Sequence, residues 1–348
     1  MSVRIESAYI ELTSQCNMKC KHCFNESEQL RKEYMDKEEY QNNVKSLIEY
    51  GCESIILSGG EPLLHPDLEW MIKETVNLGI KDISVITNGL IYKESFADLM
   101  QSLKKEISAT IVVSMDGVTK ETYGILRDPR NLKQVKDNVV RYAESCKVQI
   151  NQIMFKGNLE ALSDMADFAE ENKIESINLL NYQCSGRGTD CYDEVALGCD
   201  EIDGYRAKIK EVQSKHTSLM IHGSVNPFTT TFCRYLKGDY SSGFHVRIDS
   251  RGNLFPCSAA RRSVGSLKES SLAELMEKVA KTASREVRVA FAKMYSECGK
   301  CEAMSMCRKG CPLLFDKRDQ MKAYCEDCRK LYRKNVLLKD MYAMEKIG

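Results

Sequence analysis

The sequence has 348 residues, with 50 Lys or Arg against 50 Asp or Glu, so its formal net charge is zero. A neutral chain gives no electrostatic reason to expect nucleic acid as a partner, and no apolar run reaches the roughly 18 residues that a membrane helix needs. The N-terminal stretch MSVRIESAYIELT carries Arg4 and Glu6 and lacks a signal-peptide core. We therefore expect a soluble, cytoplasmic protein, long enough for two domains.

Short apolar strands alternate with amphipathic helices through the first half of the chain. The predicted strands cover residues 7–13, 54–58, 83–87, 109–115, 148–155 and 176–181. The predicted helices cover residues 36–50, 66–79, 93–104, 131–145 and 159–171, the first with Asp36 as its N-cap and Gly51 as its stop. Such alternation with short connections predicts parallel strands, in a barrel or in a doubly wound sheet.

Unusual residues follow five of these strands at their carboxyl ends. The segments are CNMKCKHCF (16–24), GGEP (59–62), TNG (87–89), SMDG (114–117) and NQIMFKGN (151–158). In a (β/α) barrel that end carries the chemistry, whereas Gly, Asn and Asp are also common in ordinary turns after strands. Five such segments on one rim, one of them with three thiols, favour an active site on a partial (β/α)6 barrel.

Sixteen cysteines are unusual for a cytoplasmic chain. Reducing compartments do not maintain structural disulfides, so cysteines clustered at fixed spacing indicate metal ligands. Cys52 and Cys146 lie within or beside helix and strand patterns, and we interpret them as buried thiols. Cys184, Cys191 and Cys199 lie in a Gly-containing loop, where a structural or incidental role is the first interpretation.

Cys16, Cys20 and Cys23 form the pattern C-x3-C-x2-C after the first strand. Three thiolates on a [4Fe–4S] cluster leave one iron without a protein ligand, which creates a position for a small molecule. Zinc is the competing interpretation, because a closed structural zinc site needs four ligands. His22 would have to supply the fourth, although it is adjacent to Cys23 and would point the opposite way.

This cysteine motif, with the aromatic His22 before its last cysteine and GGEP after the second strand, resembles the radical SAM superfamily. The resemblance implies that S-adenosylmethionine (SAM) chelates the open iron through its amino and carboxylate groups. It further implies that one electron from the cluster cleaves the sulfonium, giving methionine and a 5′-deoxyadenosyl radical that abstracts hydrogen from substrate. The protein then supplies positioning, electronic tuning and exclusion of water.

The resemblance also implies a set of SAM-binding residues on the rim. The implied contacts are Gly59, Gly60 and Glu61 for the methionine amino group, Ser114 and Arg127 for its carboxylate, Asn88 for the ribose or adenine, and His22 near the adenine or shielding the cluster. A surface salt bridge with Asp128 or Glu121 is the competing interpretation of Arg127. Arg130 would then bind the carboxylate in its place.

A second group of cysteines begins after about residue 221, where the strand–helix alternation stops. GNLFPC (252–257) and CGKCEAMSMCRKGC (298–311) resemble the SPASM extension of radical SAM enzymes, which houses auxiliary iron–sulfur clusters; zinc knuckles are the alternative. We therefore predict a radical SAM partial barrel over residues 1–220 and a SPASM domain over 221–348. Helices are predicted over residues 272–295 and 327–345.

The SPASM resemblance implies two auxiliary clusters, a distal [4Fe–4S] cluster and a proximal [4Fe–4S] or [2Fe–2S] cluster. The implied distal ligands are Cys298, Cys301, Cys307 and either Cys325 or Cys328, and the implied proximal ligands are Cys233, Cys257 and Cys311. No cysteine lies between Cys233 and Cys257, where fully ligated relatives have a fourth thiolate. The alternatives left open are an open iron, a ligand such as Asp239 or His245, and Cys184, Cys191 or Cys199 reaching over from their loop.

SPASM relatives modify peptides, mature sulfatases, or act in cofactor and haem biosynthesis. We expect modification of a peptide or protein residue, by a thioether or C–C crosslink or by Cys or Ser oxidation, with the catalytic residue unassigned. Sulfatase-maturing relatives carry an acidic base just after this cysteine. Here Ser258 follows Cys257, which argues against sulfatase maturation. The expected partners are a peptide or protein substrate and a flavodoxin- or ferredoxin-type electron donor.

Two other functions are compatible with the sequence. A small-molecule substrate of cofactor or haem biosynthesis is the first alternative, because the chain begins shortly before Cys16 without the leader-binding domain of many crosslinking relatives. A non-catalytic electron carrier or zinc scaffold is the second, and GGEP with the three-thiol motif argues against it.

Overall fold

The computed structural model describes residues 4–28, 33–183, 185–197, 199–223, 243–258, 260 and 262–282. Within them one sheet of ten strands runs in the order β10-β9-β8-β1-β2-β3-β4-β5-β6-β7. The strands are Ile5–Glu11 (β1), Ser54–Ser58 (β2), Asp82–Thr87 (β3), Ser108–Ser114 (β4), Lys147–Met154 (β5), Ser176–Asn181 (β6), Met220–His222 (β7), Phe244–Ile248 (β8), Asn253–Phe255 (β9) and Gly265–Ser266 (β10).

Helices connect most of the strands. They are Lys37–Glu49 (α1), Leu68–Asn77 (α2), Glu94–Leu103 (α3), Lys120–Tyr123 (α4), Leu132–Ala143 (α5), Ala161–Glu171 (α6), Tyr192–Val195 (α7), Cys199–Lys215 (α8) and Leu272–Thr282 (α9). Asp36 caps α1 as the sequence predicts, since its side chain accepts from Glu39 N. No helix in these ranges is long and apolar enough to cross a membrane.

Strands β1 to β7 pair with one another in chain order, and every pair is parallel. A doubly wound sheet would reverse this order at a switch point. Right-handed crossovers that all advance in one direction place their helices on one face of the sheet. The described fold is therefore the partial-barrel arrangement, and it is open because β10 and β7 form its two edges.

Apolar rows on the sheet form the core. One row across neighbouring strands consists of Ile10, Leu57, Val85, Ile111 and Val148, each at most 1 % exposed. These side chains lie on the face that carries the helices. Residues on the opposite face include polar groups, because side chains alternate along each strand.

The six predicted strands are all present, with boundaries shifted by two residues or fewer. The sequence patterns did not predict the strands β7, β8, β9 and β10 or the helices α4, α7 and α8. Strand β8 is parallel to β1 and extends the sheet on the side away from β2. The predicted domain boundary at residue 220 stays a prediction. The helix predicted over 272–295 is described only as far as Thr282, and the helix predicted over 327–345 lies outside the described residues.

Candidate active site at the carboxyl edge of the sheet

The three predicted cluster ligands lie on the loop that follows β1. Cys16 is buried, whereas Cys20 and Cys23 are partly buried. Burial raises the pKa of Cys16 to about 12 and also raises the pKa of Cys20. Metal binding must therefore displace protons from these thiols. Within the described residues no three candidate ligands converge on the position of one metal ion; iron–sulfur clusters distribute their thiolate ligands over several irons instead.

The glycines after β2 bring that loop against the cysteine loop. Gly60 N donates to Thr13 O at 2.7 Å, and Glu61 N donates to Gln15 O at 2.8 Å. A Cβ atom at Gly59, whose φ is +136°, would lie 2.4 Å from Thr13 O, and one at Gly60 would lie 2.1 Å from Gln15 O. These positions therefore require glycine because of a close approach within the protein. Their predicted contact with the SAM amino group stays a prediction.

Glu61 ties the second rim loop to the third. Its side chain is fully buried, and its carboxylate accepts from Thr87 Oγ1 at 2.8 Å, Asn88 N at 2.8 Å and Leu63 N at 3.1 Å. Burial raises its pKa even though the three donors stabilise the charged form. The structure thus gives Glu61 a role in fixing the rim, and its predicted contact with the SAM ammonium stays a prediction.

Asn88 lies against the cysteine loop. Its Nδ2 donates to Asn17 Oδ1 at 2.7 Å and lies 3.7 Å from Cys16 Sγ, while its Oδ1 accepts from Leu90 N at 2.9 Å. Sequence analysis assigned Asn88 to the ribose or adenine, which stays a prediction. It did not identify this contact with Asn17.

Arg127 forms a buried ion pair, with Nε donating to Asp116 Oδ2 at 2.6 Å. The competing interpretation of a surface salt bridge with Asp128 or Glu121 is therefore wrong. Asp128 pairs instead with Arg130 at 2.6 Å, and the Arg130 side chain is 87 % exposed, which removes Arg130 as the fallback. Asp116 lies in the segment SMDG, and its spacing of 11 residues from Arg127 matches no local pattern, so the sequence alone does not predict this pair.

Arg127 also extends toward the cysteine loop. Its Nη1 lies 3.7 Å from Cys20 Sγ, and its Nη2 donates to His22 Nε2 at 3.4 Å. Burial lowers the pKa of His22 to about 4, against the opposing effect of Asp116, so the ring is neutral near pH 7. Burial alone would raise the pKa of Asp116, but Arg127 and His22 hold it below its ordinary value.

The nitrogen Nδ1 of His22 is buried and has no hydrogen-bond partner. An orphaned polar atom at this position suits a bound group with polar atoms of its own. The three thiols, this ring nitrogen and the donors of Arg127 therefore fit an iron–sulfur cluster with SAM.

A polar row crosses the other half of the rim. Ser114 on β4 is in register with Asn151 on β5, which is in register with Asn178 on β6. Asn178 Nδ2 donates to Asn151 Oδ1 at 3.2 Å, and all three residues are partly exposed. Their strand neighbours Val113, Ile150 and Ile177 are fully buried on the helix-bearing face. The polar row therefore lies on the face without helices. The predicted contact of Ser114 with the SAM carboxylate stays a prediction.

Arg247 connects the cysteine loop to the start of the second cysteine region. On β8 it pairs with Glu11 at 2.8 Å and donates to Ala260 O at 2.6 Å. Its guanidinium carbon lies 4.9 Å from the ring centroid of Phe24 and 3.9 Å from that of Phe255. Sequence analysis did not identify Arg247, although it alternates with apolar residues in FHVRI.

Among the predicted auxiliary-cluster residues, only Cys257, Cys191 and His245 have described side chains. Cys191 Sγ lies 3.0 Å from Tyr182 Oη. His245 Nδ1 hydrogen-bonds Ser7 Oγ at 2.6 Å near the amino end of β8. Neither contact tests a ligand role. The other residues lie outside the described residues or, for Cys199, have no described side chain: Cys184, Cys199, Cys233, Asp239, Cys298, Cys301, Cys307, Cys311, Cys325 and Cys328.

Comparisons with known proteins agree with this site. The family profile of the radical SAM superfamily matches residues 10–169, and that of the SPASM iron–sulfur cluster-binding domain matches residues 240–302. GTP 3′,8-cyclase of Aquifex aeolicus is 30% identical over 268 residues, which cover 71% of this chain and 80% of that protein.

Two solved proteins share the fold. Streptococcus suis SuiB bound to S-adenosylmethionine has a TM-score of 0.67 and 18% identity, covering 89% of this chain and 74% of that chain. The structure of anSMEcpe with AdoMet and the Cp18Cys peptide has a TM-score of 0.63 and 18% identity, covering 98% of this chain and 99% of that chain.

Proposed function

Because this chain belongs to the radical SAM superfamily and carries a SPASM iron–sulfur cluster-binding domain, we propose that it is a radical SAM enzyme that modifies a residue of a peptide or protein. The radical chemistry rests on one observation above all: three thiols lie on one rim loop, and the start of that loop is held to GGEP by the bonds from Gly60 N to Thr13 O and from Glu61 N to Gln15 O. Two auxiliary clusters, a flavodoxin- or ferredoxin-type electron donor and a cytoplasmic location complete the proposal.

Cys16, Cys20 and Cys23 would hold a [4Fe–4S] cluster, which together with SAM would supply one-electron reduction of the sulfonium and hydrogen abstraction from the substrate. The residues of this chain prepare the position. Arg127, oriented by Asp116, presents donors to Cys20 and His22. Asn88 holds the Cys16 side of the loop through Asn17. Preorganised donors of this kind need no rearrangement during the reaction.

The substrate class is argued from the polar row. Asn151 Oδ1 accepts from both Asn178 Nδ2 and Gln149 Nε2, so Asn151 Nδ2 still offers N–H donors and Asn178 Oδ1 still offers an acceptor. A peptide group needs that same pair of partners. Arg127 and Arg247, which are buried at this edge, each pair with a carboxylate. Their partly neutralised charge favours a substrate with less negative charge than a nucleotide triphosphate.

Solved relatives support a peptide substrate by analogy. SuiB has been solved bound to precursor peptide SuiA, and anSMEcpe with the Cp18Cys peptide. Both likenesses are below 25% identity, so the choice of a peptide over a nucleotide rests on the carboxylate-paired Arg127 and Arg247.

A second candidate is the cyclisation of a purine nucleotide. It is favoured by the curated relatives, among them the GTP 3′,8-cyclase of Aquifex aeolicus. The donor and acceptor of Asn151 and Asn178 suit the edge of a purine base as well as a peptide group.

One experiment separates the two candidates. The full-length protein is reconstituted anaerobically with iron and sulfide, reduced with dithionite, and supplied with SAM plus either GTP or a short synthetic cysteine-containing peptide. We expect the peptide to stimulate 5′-deoxyadenosine formation and to lose hydrogen, with deuterium passing from labelled peptide into 5′-deoxyadenosine. Stimulation by GTP alone, with a cyclised product, would establish the second candidate instead.

A further inference from the structure

A short segment after β6 lies directly against the cysteine loop. It contains a turn of 3-10 helix at Gly186–Thr189. A Cβ atom at Gly186, whose φ is +55°, would lie 2.4 Å from Phe24 O and 2.5 Å from Cys23 O. Any other residue would push the two segments apart, so their backbones approach as closely as glycine allows.

Arg187 makes three hydrogen bonds to that loop. Its backbone N donates to Cys23 O at 3.1 Å, its Nε donates to Cys20 O at 2.9 Å, and its Nη2 donates to Ser27 O at 3.1 Å. The carbonyls that accept these bonds bracket the stretch that carries two of the three thiols. One side chain therefore fixes both ends of this stretch.

The opposite side of the loop is held independently. Lys21 N donates to Leu126 O at 2.9 Å, and Arg127 reaches Cys20 and His22 from the same segment. The Arg187 segment is in turn anchored to its own strand, since Tyr182 Oη donates to Gly188 O at 2.9 Å. The loop thus lies between a support from the β4 side and a support from the β6 side.

The charge of Arg187 differs from that of Arg127 in one respect. Arg127 pairs with Asp116, whereas Arg187 has no carboxylate partner among the residues that the structure describes. The Arg187 guanidinium instead donates to the backbone carbonyls of Cys20 and Ser27.

We propose that Arg187 is a positioning residue that holds the Cys20–Ser27 stretch in its ligand-binding conformation. The chain thereby supports its radical SAM cluster from the segment after β6, the strand that carries Asn178 of the polar row. This role does not depend on which substrate the enzyme uses. Its test therefore stands even if the peptide proposal fails.

The test measures iron retention in the full-length reconstituted protein. Iron is removed with EDTA under anaerobic conditions, and the pool bound at the rim is identified as the iron absent from the Cys16→Ala, Cys20→Ala, Cys23→Ala triple variant. We expect Arg187→Gln to lose this pool roughly 10-fold faster or more, the effect of removing a charge-assisted hydrogen bond. The remaining iron should leave at the wild-type rate.

Arg141→Gln is the matched control, because Arg141 on α5 is a half-exposed arginine that stacks on Tyr92 and pairs with Glu94 at 3.7 Å. It should behave as wild type. Gly186→Ala provides a second variant and should release the same iron pool faster. In the metal-free chain, hydrogen exchange at the amides of Lys21 and Cys23 should rise in Arg187→Gln.

Two results would overturn the proposal. One is an iron release rate in Arg187→Gln equal to that of wild type. The other is faster loss of every iron pool together with a lower melting temperature, which would indicate general destabilisation.

Discussion

Asp116 is the residue that fixes the geometry beside the cysteine loop. Its Oδ2 accepts from Arg127, and its Oδ1 accepts from Ile153 N at 2.9 Å. It thereby joins the segment after β4 to the carboxyl end of β5. Arg127 in turn contacts Cys20 and His22. A carboxylate with no direct contact to a thiol therefore determines which groups face the cluster.

The substitution Asp116→Asn should destabilise the protein strongly. It leaves the buried charge of Arg127 without its partner, which costs about 3–5 kcal/mol in comparable buried pairs. Denaturant unfolding of the metal-free protein measures this loss. Asp137→Asn is the control, because Asp137 pairs with Lys133 on the surface, and its removal should leave stability nearly unchanged. Equal stability of the two variants would show that the buried pair contributes little.

The neutral ring of His22 predicts a pH dependence. Its folded pKa of about 4 lies below the ordinary value of 6.5, so the unfolded chain binds more protons between these values. Stability of the metal-free protein should therefore fall as the pH decreases through this window, with a contribution from His22 of at most about 1.4 kcal/mol per pH unit. His22→Gln should remove that part of the slope. Parallel pH profiles for wild type and variant would contradict the assignment.

At the scale of elements, the contact between the β1 and β2 loops places the thiols. Gly60→Ala should displace the cysteine loop, because its Cβ would lie 2.1 Å from Gln15 O. We expect lower iron content in the rim pool and a lower melting temperature. Gly204→Ala is the matched control. Gly204 lies within α8, and a Cβ atom there would meet only the Leu159 side chain, at an ordinary contact distance of 3.7 Å. Full iron loading in Gly60→Ala would mean that the loop can shift without losing its ligands.

Local patterns predicted the elements whose signals are local. Apolar strands, amphipathic helices and the Asp36 cap all lie within a few residues, and the structure confirms them. Strand β8 was missed although FHVRI alternates apolar and polar residues, because it lies beyond the strand–helix alternation and its partner β1 lies far away in the chain. The pair of Asp116 with Arg127 was missed for the same reason: tertiary packing brings the two together, and neither has a distinctive local motif.

At the scale of the whole molecule, the rim joins two regions that the sequence suggested were separate. Strand β8 follows the proposed domain boundary, yet it lies beside β1 in the same sheet. Arg247 on β8 stacks between Phe24, next to Cys23, and Phe255, two residues before Cys257. The segment that leads to Cys257 therefore packs directly on the loop that carries Cys16, Cys20 and Cys23.

The proposed roles of the rim cysteines and of the auxiliary-cluster cysteines differ, and this difference gives a further prediction. Replacing Cys16, Cys20 and Cys23 together with Ala should abolish 5′-deoxyadenosine production while leaving auxiliary iron in place, because only these three thiols occupy the loop after β1. Iron analysis and product quantification on the same preparation measure both effects. Retained SAM cleavage in the triple variant would contradict the assignment of the radical SAM cluster.

The position of β1 between β2 and β8 has a consequence for synthesis of the chain. Its first neighbour emerges from the ribosome early, but β8 follows only after β2 to β7 have been made. At about 5–20 residues per second, one edge of β1 stays open for roughly 10–40 s. An open strand edge invites pairing with another nascent chain, and charged residues on the strand discourage it. Glu11 on β1 supplies such a charge until β8 has been synthesised and its Arg247 pairs with Glu11.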